Sequence, residues 1–251
     1  AYGEIKMKSF GVTDRGKVRA ENQDSFAIER IESRECLAAV VCDGMGGENA
    51  GSIASTLASK IFISYFVDRI MASRARNPDL KRHMVNACKK ANDIVYSYSC
   101  FSTDYTGMGT TLVAASMIGN QAVIANVGDS RAYHISRKRI VQITKDHSYV
   151  QTLIDKGILT PEQAKRHPKK NSIMRALGVD ETVECDIFTQ KMAKGERILL
   201  CSDGLTNFLT DEEIFKTSQQ YKLPEEFSRQ LVDMVLERGA SDNVTAVVLS
   251  R

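Results

Sequence analysis

Three apolar, β-prone stretches of this chain run into an aspartate beside a glycine. Residues 37–42 lead into Asp43-Gly44, 123–127 into Gly128-Asp129, and 198–201 into Ser202-Asp203-Gly204. A strand that ends in a carboxylate sets that charge at a sheet rim, where gathered carboxylates repel unless a cation sits among them. All-oxygen clusters suit hard divalent ions such as Mg²⁺ or Mn²⁺, so these residues point to metal-assisted hydrolysis. Two more acids precede strand-like runs: Asp24 after Arg19-Ala20-Glu21-Asn22-Gln23, and Asp242 before Asn243-Val244-Thr245. Singly, Asp-Gly is a turn signal, and Asp24 or Asp242 a turn cap. Repetition of one device at distant positions shifts the reading toward a site.

Other phosphate chemistries fail on residue type. A cysteine nucleophile of the phosphatase kind needs an arginine at the sixth position after it. Cys42 is followed there by Glu48, Cys201 by Asn207 and Cys185 by Lys191. Gly46 and Gly51 have the glycine spacing of a P-loop, yet Ser52-Ile53 stands where Lys-[Ser/Thr] is required. His83, His134, His147 and His167 lack the spacing of a zinc site; they read as a solvated helix residue, a strand filler, a helix cap and a helix end.

The elements that must carry the acids come in clusters. Strand patterns cover 8–13, 25–31, 36–42, 110–117, 121–127, 131–136, 140–143, 183–190, 197–201 and 244–250. Helical patterns cover 50–71, with Ile53, Leu57, Ile61 and Tyr65 as its stripe, and a second helix opened by Pro78 and running to 98. Four more cover 146–156, 160–167, 210–219 and 224–238. Because strands do not alternate one-to-one with helices, the class is α+β with antiparallel sheets. No repeat or linker breaks the 251 residues, so one domain is expected, with residues 1–6 an added extension ahead of a natural start at Met7.

Composition narrows the partners. At 43% hydrophobic and 26% charged residues the chain builds an ordinary globular core. A formal net charge of +3 argues for neither nucleic acid nor a membrane surface. Six cysteines without a CxxC pair, four of them in or beside strand-like runs, read as reduced core residues of a cytoplasmic protein.

With the remaining motifs in order, the chain resembles the metal-dependent serine/threonine protein phosphatases of type 2C, particularly their compact bacterial members. The resemblance runs from Gly11-Val12-Thr13-Asp14-Arg15-Gly16 through Asp43-Gly44-Met45-Gly46-Gly47, Met108-Gly109-Thr110-Thr111 and Gly128-Asp129-Ser130-Arg131. It continues through Asp146-His147-Ser148, Arg175-Ala176-Leu177-Gly178 and Ser202-Asp203-Gly204-Leu205 to Asp242-Asn243-Val244-Thr245.

The resemblance implies a four-layer αββα sandwich, two central antiparallel sheets flanked by helix pairs, holding two or three Mn²⁺ or Mg²⁺ ions at one end. It implies that Asp43 bridges two ions, with the Gly44 carbonyl on one and Asp203 and Asp242 on the other. Asp24 reaches the first ion with Gln23 behind it, Asp129 joins Asp203 at a third, and Arg19 holds the substrate phosphate. The implied reaction is hydrolysis of phosphoserine and phosphothreonine in proteins by a hydroxide bridging the metals, in line and without a covalent intermediate. A cognate eukaryotic-like kinase, a monomeric state and a mobile flap over 148–172 follow from the same likeness. Met45 stands where eukaryotic relatives carry histidine, and Glu48 and Ser52 depart from many bacterial ones. Two alternatives stay open: a phosphatase of small metabolites, and a catalytically silent interaction module.

Overall fold

The computed structural model describes residues 7–47, 49–101, 103–105 and 107–251; the expected extension and Glu48 lie outside them. Eleven strands are described: β1 (Lys8–Asp14), β2 (Asp24–Ile31), β3 (Cys36–Met45), β4 (Gly109–Thr110), β5 (Leu112–Ile118), β6 (Gln121–Val127), β7 (Arg131–Ile135), β8 (Ile140–Gln142), β9 (Asp186–Lys191), β10 (Arg197–Cys201) and β11 (Val244–Ser250). The α-helices are α1 (Ala50–Ala72), α2 (Leu80–Ser99), α3 (Tyr149–Asp155), α4 (Pro161–Ala164), α5 (Asp203–Thr206), α6 (Asp211–Gln220) and α7 (Pro224–Glu237). One sheet runs β1-β11-β10-β7-β8 and the other β2-β3-β5-β6-β9, with β4 appended to β3. Every paired strand is antiparallel, and the α+β class holds.

Period-two alternation builds three apolar layers from these strands. On β3, Ala38, Val40 and Cys42 face α1 and α2, whereas Leu37, Ala39 and Val41 face the gap between the sheets. On β10, Ile198 and Leu200 face the same gap and Leu199 and Cys201 face α6 and α7. The two sheets therefore lie back to back with helices outside each, the expected four layers. Each large apolar side chain buried this way contributes roughly 1.5–3 kcal/mol.

Helix α1 differs from expectation in its buried stripe. Ala54, Ala58, Phe62, Phe66 and Ile70 are fully buried, while Ile53, Leu57, Ile61 and Tyr65 are only half-buried. Small residues let the helix lie close on the sheet, and the larger residues beside them pack at its flank. By length and composition α1 could cross a bilayer, but half of it is buried here as a core helix.

Two helix starts also move. Asp79, not Pro78, opens α2, because its carboxylate accepts the Arg82 N–H at 3.1 Å. Ser148 caps α3, which starts three residues later than expected, since Asp146 is engaged by Arg131 at 2.7 Å. The capping box at Thr160 and Gln163 is present as read. Strand β9 starts at Asp186, not at 183.

Candidate active site

The alternation that builds the inter-sheet core also aims the acids. Asp43 continues the parity of Leu37, Ala39 and Val41, and Asp24 sits directly opposite it in the β2–β3 register. Both side chains therefore enter the gap between sheets at one end. From the other sheet, Ser202 follows Leu200 and Thr245 precedes Val247 in the same parity. The Ser202 and Thr245 hydroxyls each donate to Asp24 Oδ2 at 2.6 Å. Thr245 Oγ1 lies 2.7 Å from Thr13 Oγ1, which accepts from Asn22 Nδ2 at 2.9 Å. With Thr245 committed as donor to Asp24, Thr13 must donate to Thr245. An oriented chain thus runs from Asn22 across both sheets to the carboxylate, each bond polarising the next.

Asp203, expected at a strand end, instead opens the short helix α5, a helix that Asp-Gly patterning hid. Gly204 is there because a Cβ would stand 1.9 Å from the Asn243 carbonyl oxygen. Gly44 is equally constrained, since a Cβ would stand 2.0 Å from the Gly51 oxygen. Rather than ending the strand, Asp43-Gly44 stays inside β3 and pairs onward with β4. Gln23 acts through its backbone: its oxygen accepts the Gly44 N–H at 3.0 Å, and its N–H donates to Asn243 Oδ1 at 2.8 Å.

Burial and mutual repulsion shape the titration of this cluster. Burial, only partly offset by Ser202 and Thr245, pushes Asp24 up to about 7, with Asp203 and Asp242 adding to the rise. Burial and then Asp24, Asp203, Asp129 and Asp242 push Asp43 well above the usual carboxylate range. Burial and Asp242 raise Asp203, while hydrogen bonds from Asn207 and Asp43 oppose the rise. Asp129, buried after Gly128, is pushed up to about 7 by burial and by Asp203 and Asp146. Asp43 therefore feels all four of the other acids across the gap.

Each finds a local partner where it can. Arg19 donates to Asp242 Oδ2 at 2.9 Å, and Asn207 donates to Asp203 Oδ2 at 3.1 Å. Asp24 Oδ1 and Asp129 Oδ1 are buried without any hydrogen-bond partner. Among the described residues, no three His, Cys, Asp or Glu side chains are closed tightly enough to cage an ion as they stand. Even so, hard oxygen donors, two buried orphan oxygens and mutual repulsion fit a divalent cation. Asp24, Asp43, Asp129, Asp203 and Asp242 are the donors available to it, with the Gly44 backbone beside them.

Three supporting residues escaped the sequence reading. Asn243 Nδ2 donates to the carbonyls of Arg15 and Glu21, both at 2.8 Å, and so fixes the loop that carries Arg19. Thr111 Oγ1 accepts the Asp43 N–H at 3.0 Å and meets Ser130 Oγ at 2.7 Å, tying Asp43 to the Asp129 corner. His147, expected to cap a helix, accepts the Gly128 N–H at Nδ1 at 3.0 Å. Its Nε2 lies 3.2 Å from Asp186, so the proton belongs on Nε2. Burial holds this imidazole below its ordinary pKa, with Asp186 opposing. Asx and hydroxyl residues next to the acids were the only sequence signal for such roles. His83, expected to be solvated, is buried as well.

The family model of protein phosphatase 2C matches residues 14–244. The serine/threonine phosphatase stp of Listeria monocytogenes serotype 4b (strain F2365) is 35% identical over 239 residues, covering 95% of this chain and 94% of that protein. The crystal structure of the serine/threonine phosphatase Stp1 from Staphylococcus aureus superposes with a TM-score of 0.88 at 35% identity, covering 98% of this chain and 95% of the other. A structure of the PstP catalytic domain in complex with two manganese ions gives a TM-score of 0.83 at 36% identity, covering 97% of each chain.

Proposed function

The chain belongs to the protein phosphatase 2C family and is a divalent-metal-dependent serine/threonine protein phosphatase, and from that premise we propose which residues do the work. The supporting observation is the meeting of five acids from both sheets at one end of the gap, two with orphan buried oxygens. Asp43, Asp203 and Asp242 form the catalytic ligand set, with Asp24 and the Gly44 carbonyl completing one side and Asp129 the other. Two Mn²⁺ or Mg²⁺ ions, and a third at Asp129, are the complement this donor set suits. Divalent cations held by these acids would supply a water of lowered pKa, about 7, and positive charge for the phosphoryl oxygens.

The protein's own groups do the rest. Ser202 and Thr245 saturate Asp24 Oδ2, so Oδ1 alone is left to face the cluster. Arg19, more than half exposed and tethered to Asp242 by a single contact, can swing to present a bidentate fork to phosphate oxygens. That fork would hold the charge that spreads over the transferring phosphoryl group. The helical segment between Ser148 and Ile173 is tied at its root by the Tyr149 N–H donating to the Ser172 carbonyl at 2.8 Å. As the flap, it would select phosphoserine and phosphothreonine proteins in the cytoplasm, opposing a eukaryotic-like kinase, with the chain acting as a monomer and a single catalytic domain.

The test is hydrolysis of p-nitrophenyl phosphate and of a phosphothreonine peptide with Mn²⁺, Mg²⁺ or EDTA. Metal-dependent turnover of both is expected, together with its loss in Asp43→Ala and Asp203→Ala variants that keep the native circular dichroism. Near-normal turnover in either variant defeats the assignment. Activity on the small ester alone would favour metabolite substrates.

A further inference from the structure

The far end of the helix pair holds a second polar concavity, apart from the acid cluster. The last turns of α1 and the first turns of α2 border an open concavity of about 440 Å³, lined by Tyr65, Arg69, Arg74, Arg82, His83 and Asn86 among others. Three arginines on three different segments converge there: Arg69 on the last turn of α1, Arg74 on the connection, Arg82 on the first turn of α2. No carboxylate of the described residues lies within 4.0 Å of their guanidinium nitrogens. The nearby Asp79 carboxylate is spent on capping α2.

Two of the three positions are also restrained. The Arg69 guanidinium carbon lies over the Tyr65 ring, 4.8 Å from its centroid. Arg34 donates to the Ser73 carbonyl and, at 3.2 Å, to the Ala75 carbonyl, which pins the backbone on both sides of Arg74. An independent feature points the same way. His83 is only 7% exposed, yet its Nδ1 has no hydrogen-bond partner. Burial, with Arg82 and Arg69, lowers its pKa against a weaker pull from Asp79, leaving a neutral ring.

Exposed arginines near a helix end are ordinarily solvated, and a single one would mean nothing. Three guanidiniums without a carboxylate partner around one concavity, with a buried unpartnered imidazole at its wall, suit an acceptor-rich anion. Guanidinium forks match phosphate geometry better than point cations do, and the cavity has the volume of a small-molecule site. We propose that this cavity binds a phosphate-bearing anion of at least two charges, free or carried on a phosphorylated peptide, gripped by Arg69, Arg74 and Arg82 with His83 and Asn86 beneath it. The site does not depend on the assignment of the acid cluster.

The experiment is isothermal titration of the EDTA-treated Arg19→Ala protein with inorganic pyrophosphate, and in parallel with a phosphothreonine peptide. Removing Arg19 silences the phosphate-holding group at the other end. Saturable one-to-one binding is expected, weakened about tenfold by Arg82→Gln and lost in the Arg69→Ala/Arg74→Ala/Arg82→Ala protein. The His83 ring ¹⁵N resonances should move on binding. Pyrophosphate binding alone identifies a free anion, and peptide binding with the same arginine dependence identifies a phosphorylated segment. No saturable binding of either probe, or equal affinity in the triple variant with native circular dichroism, overturns the proposal.

Discussion

Replacing Asp24 with asparagine should make the metal-free protein more stable while weakening its hold on metal. Asp24 carries a carboxyl at about 7 where an unfolded chain has about 3.8. Between those values the folded form keeps a proton that the unfolded form releases, so stability falls as pH rises through that window. Above pH 7 the ceiling of the penalty is about 4 kcal/mol, at 1.36 kcal/mol per pH unit. In the Asp24→Asn protein the amide oxygen can still accept from Ser202 and Thr245, though a neutral acceptor binds those hydroxyls less strongly. Allowing for that loss, we expect the variant to gain about 2 kcal/mol at pH 8 and almost nothing at pH 4. Urea titrations in EDTA at the two pH values measure the difference. Mn²⁺ at a hundredfold excess over its Kd should then raise the wild type by about 3 kcal/mol and the variant by less. A variant less stable at pH 8, or a difference independent of pH, refutes the view that this acid is held against its own desolvation.

Three other outcomes follow from contacts around the site and the fold. Asn243→Ala removes three hydrogen bonds that fix the 15–23 loop; chemical denaturation should show a loss of about 3 kcal/mol, with KM for a phosphopeptide rising as Arg19 loosens. His147→Phe strips the Gly128 N–H of its acceptor and should cost about 1–3 kcal/mol, with one fewer Mn²⁺ bound by titration if that corner positions Asp129. The Arg238 guanidinium and the Thr210 backbone and hydroxyl hold Glu213 down to about 2. Its contribution is therefore complete above pH 4.5 and lost as pH falls through 2. Because the group is largely solvated, Glu213→Gln should lower stability at pH 7 by under about 1 kcal/mol, and thermal melts at pH 2 should show a smaller difference.

Much of this architecture is legible because strand parity is local. The run from Cys36 to Cys42 could be read as a two-faced strand, and its neighbours followed. What patterning missed depends on close approach across the chain. Asp203-Gly204 looks like a turn until the backbone of Asn243, 1.9 Å from where a Cβ would be, shows why glycine is the second residue of a helix. The fourfold spacing of Ile53, Leu57, Ile61 and Tyr65 marks the helix, but these residues pack only at the flank of the α1 contact. The sheet instead selects Ala54 and Ala58, whose small side chains admit the closest packing. Asn243, Thr111 and His147 were beyond reach because their roles are hydrogen bonds to backbone groups 19 to 228 residues away. A histidine after an aspartate carries no mark of which distant amide it will accept.

The direct opposition of Asp24 and Asp43 in the β2–β3 ladder reaches beyond chemistry. A slip of one residue would turn one acid out to the helix side while the other stayed in the gap. With β2 slipped, the oriented run of hydroxyls from Asn22 would then end on Gln23 or Ser25 in place of a carboxylate. Turnover can therefore arise only from chains whose hairpin has closed in the right frame, and specific activity measured during refolding would count correctly threaded molecules where bulk secondary structure could not.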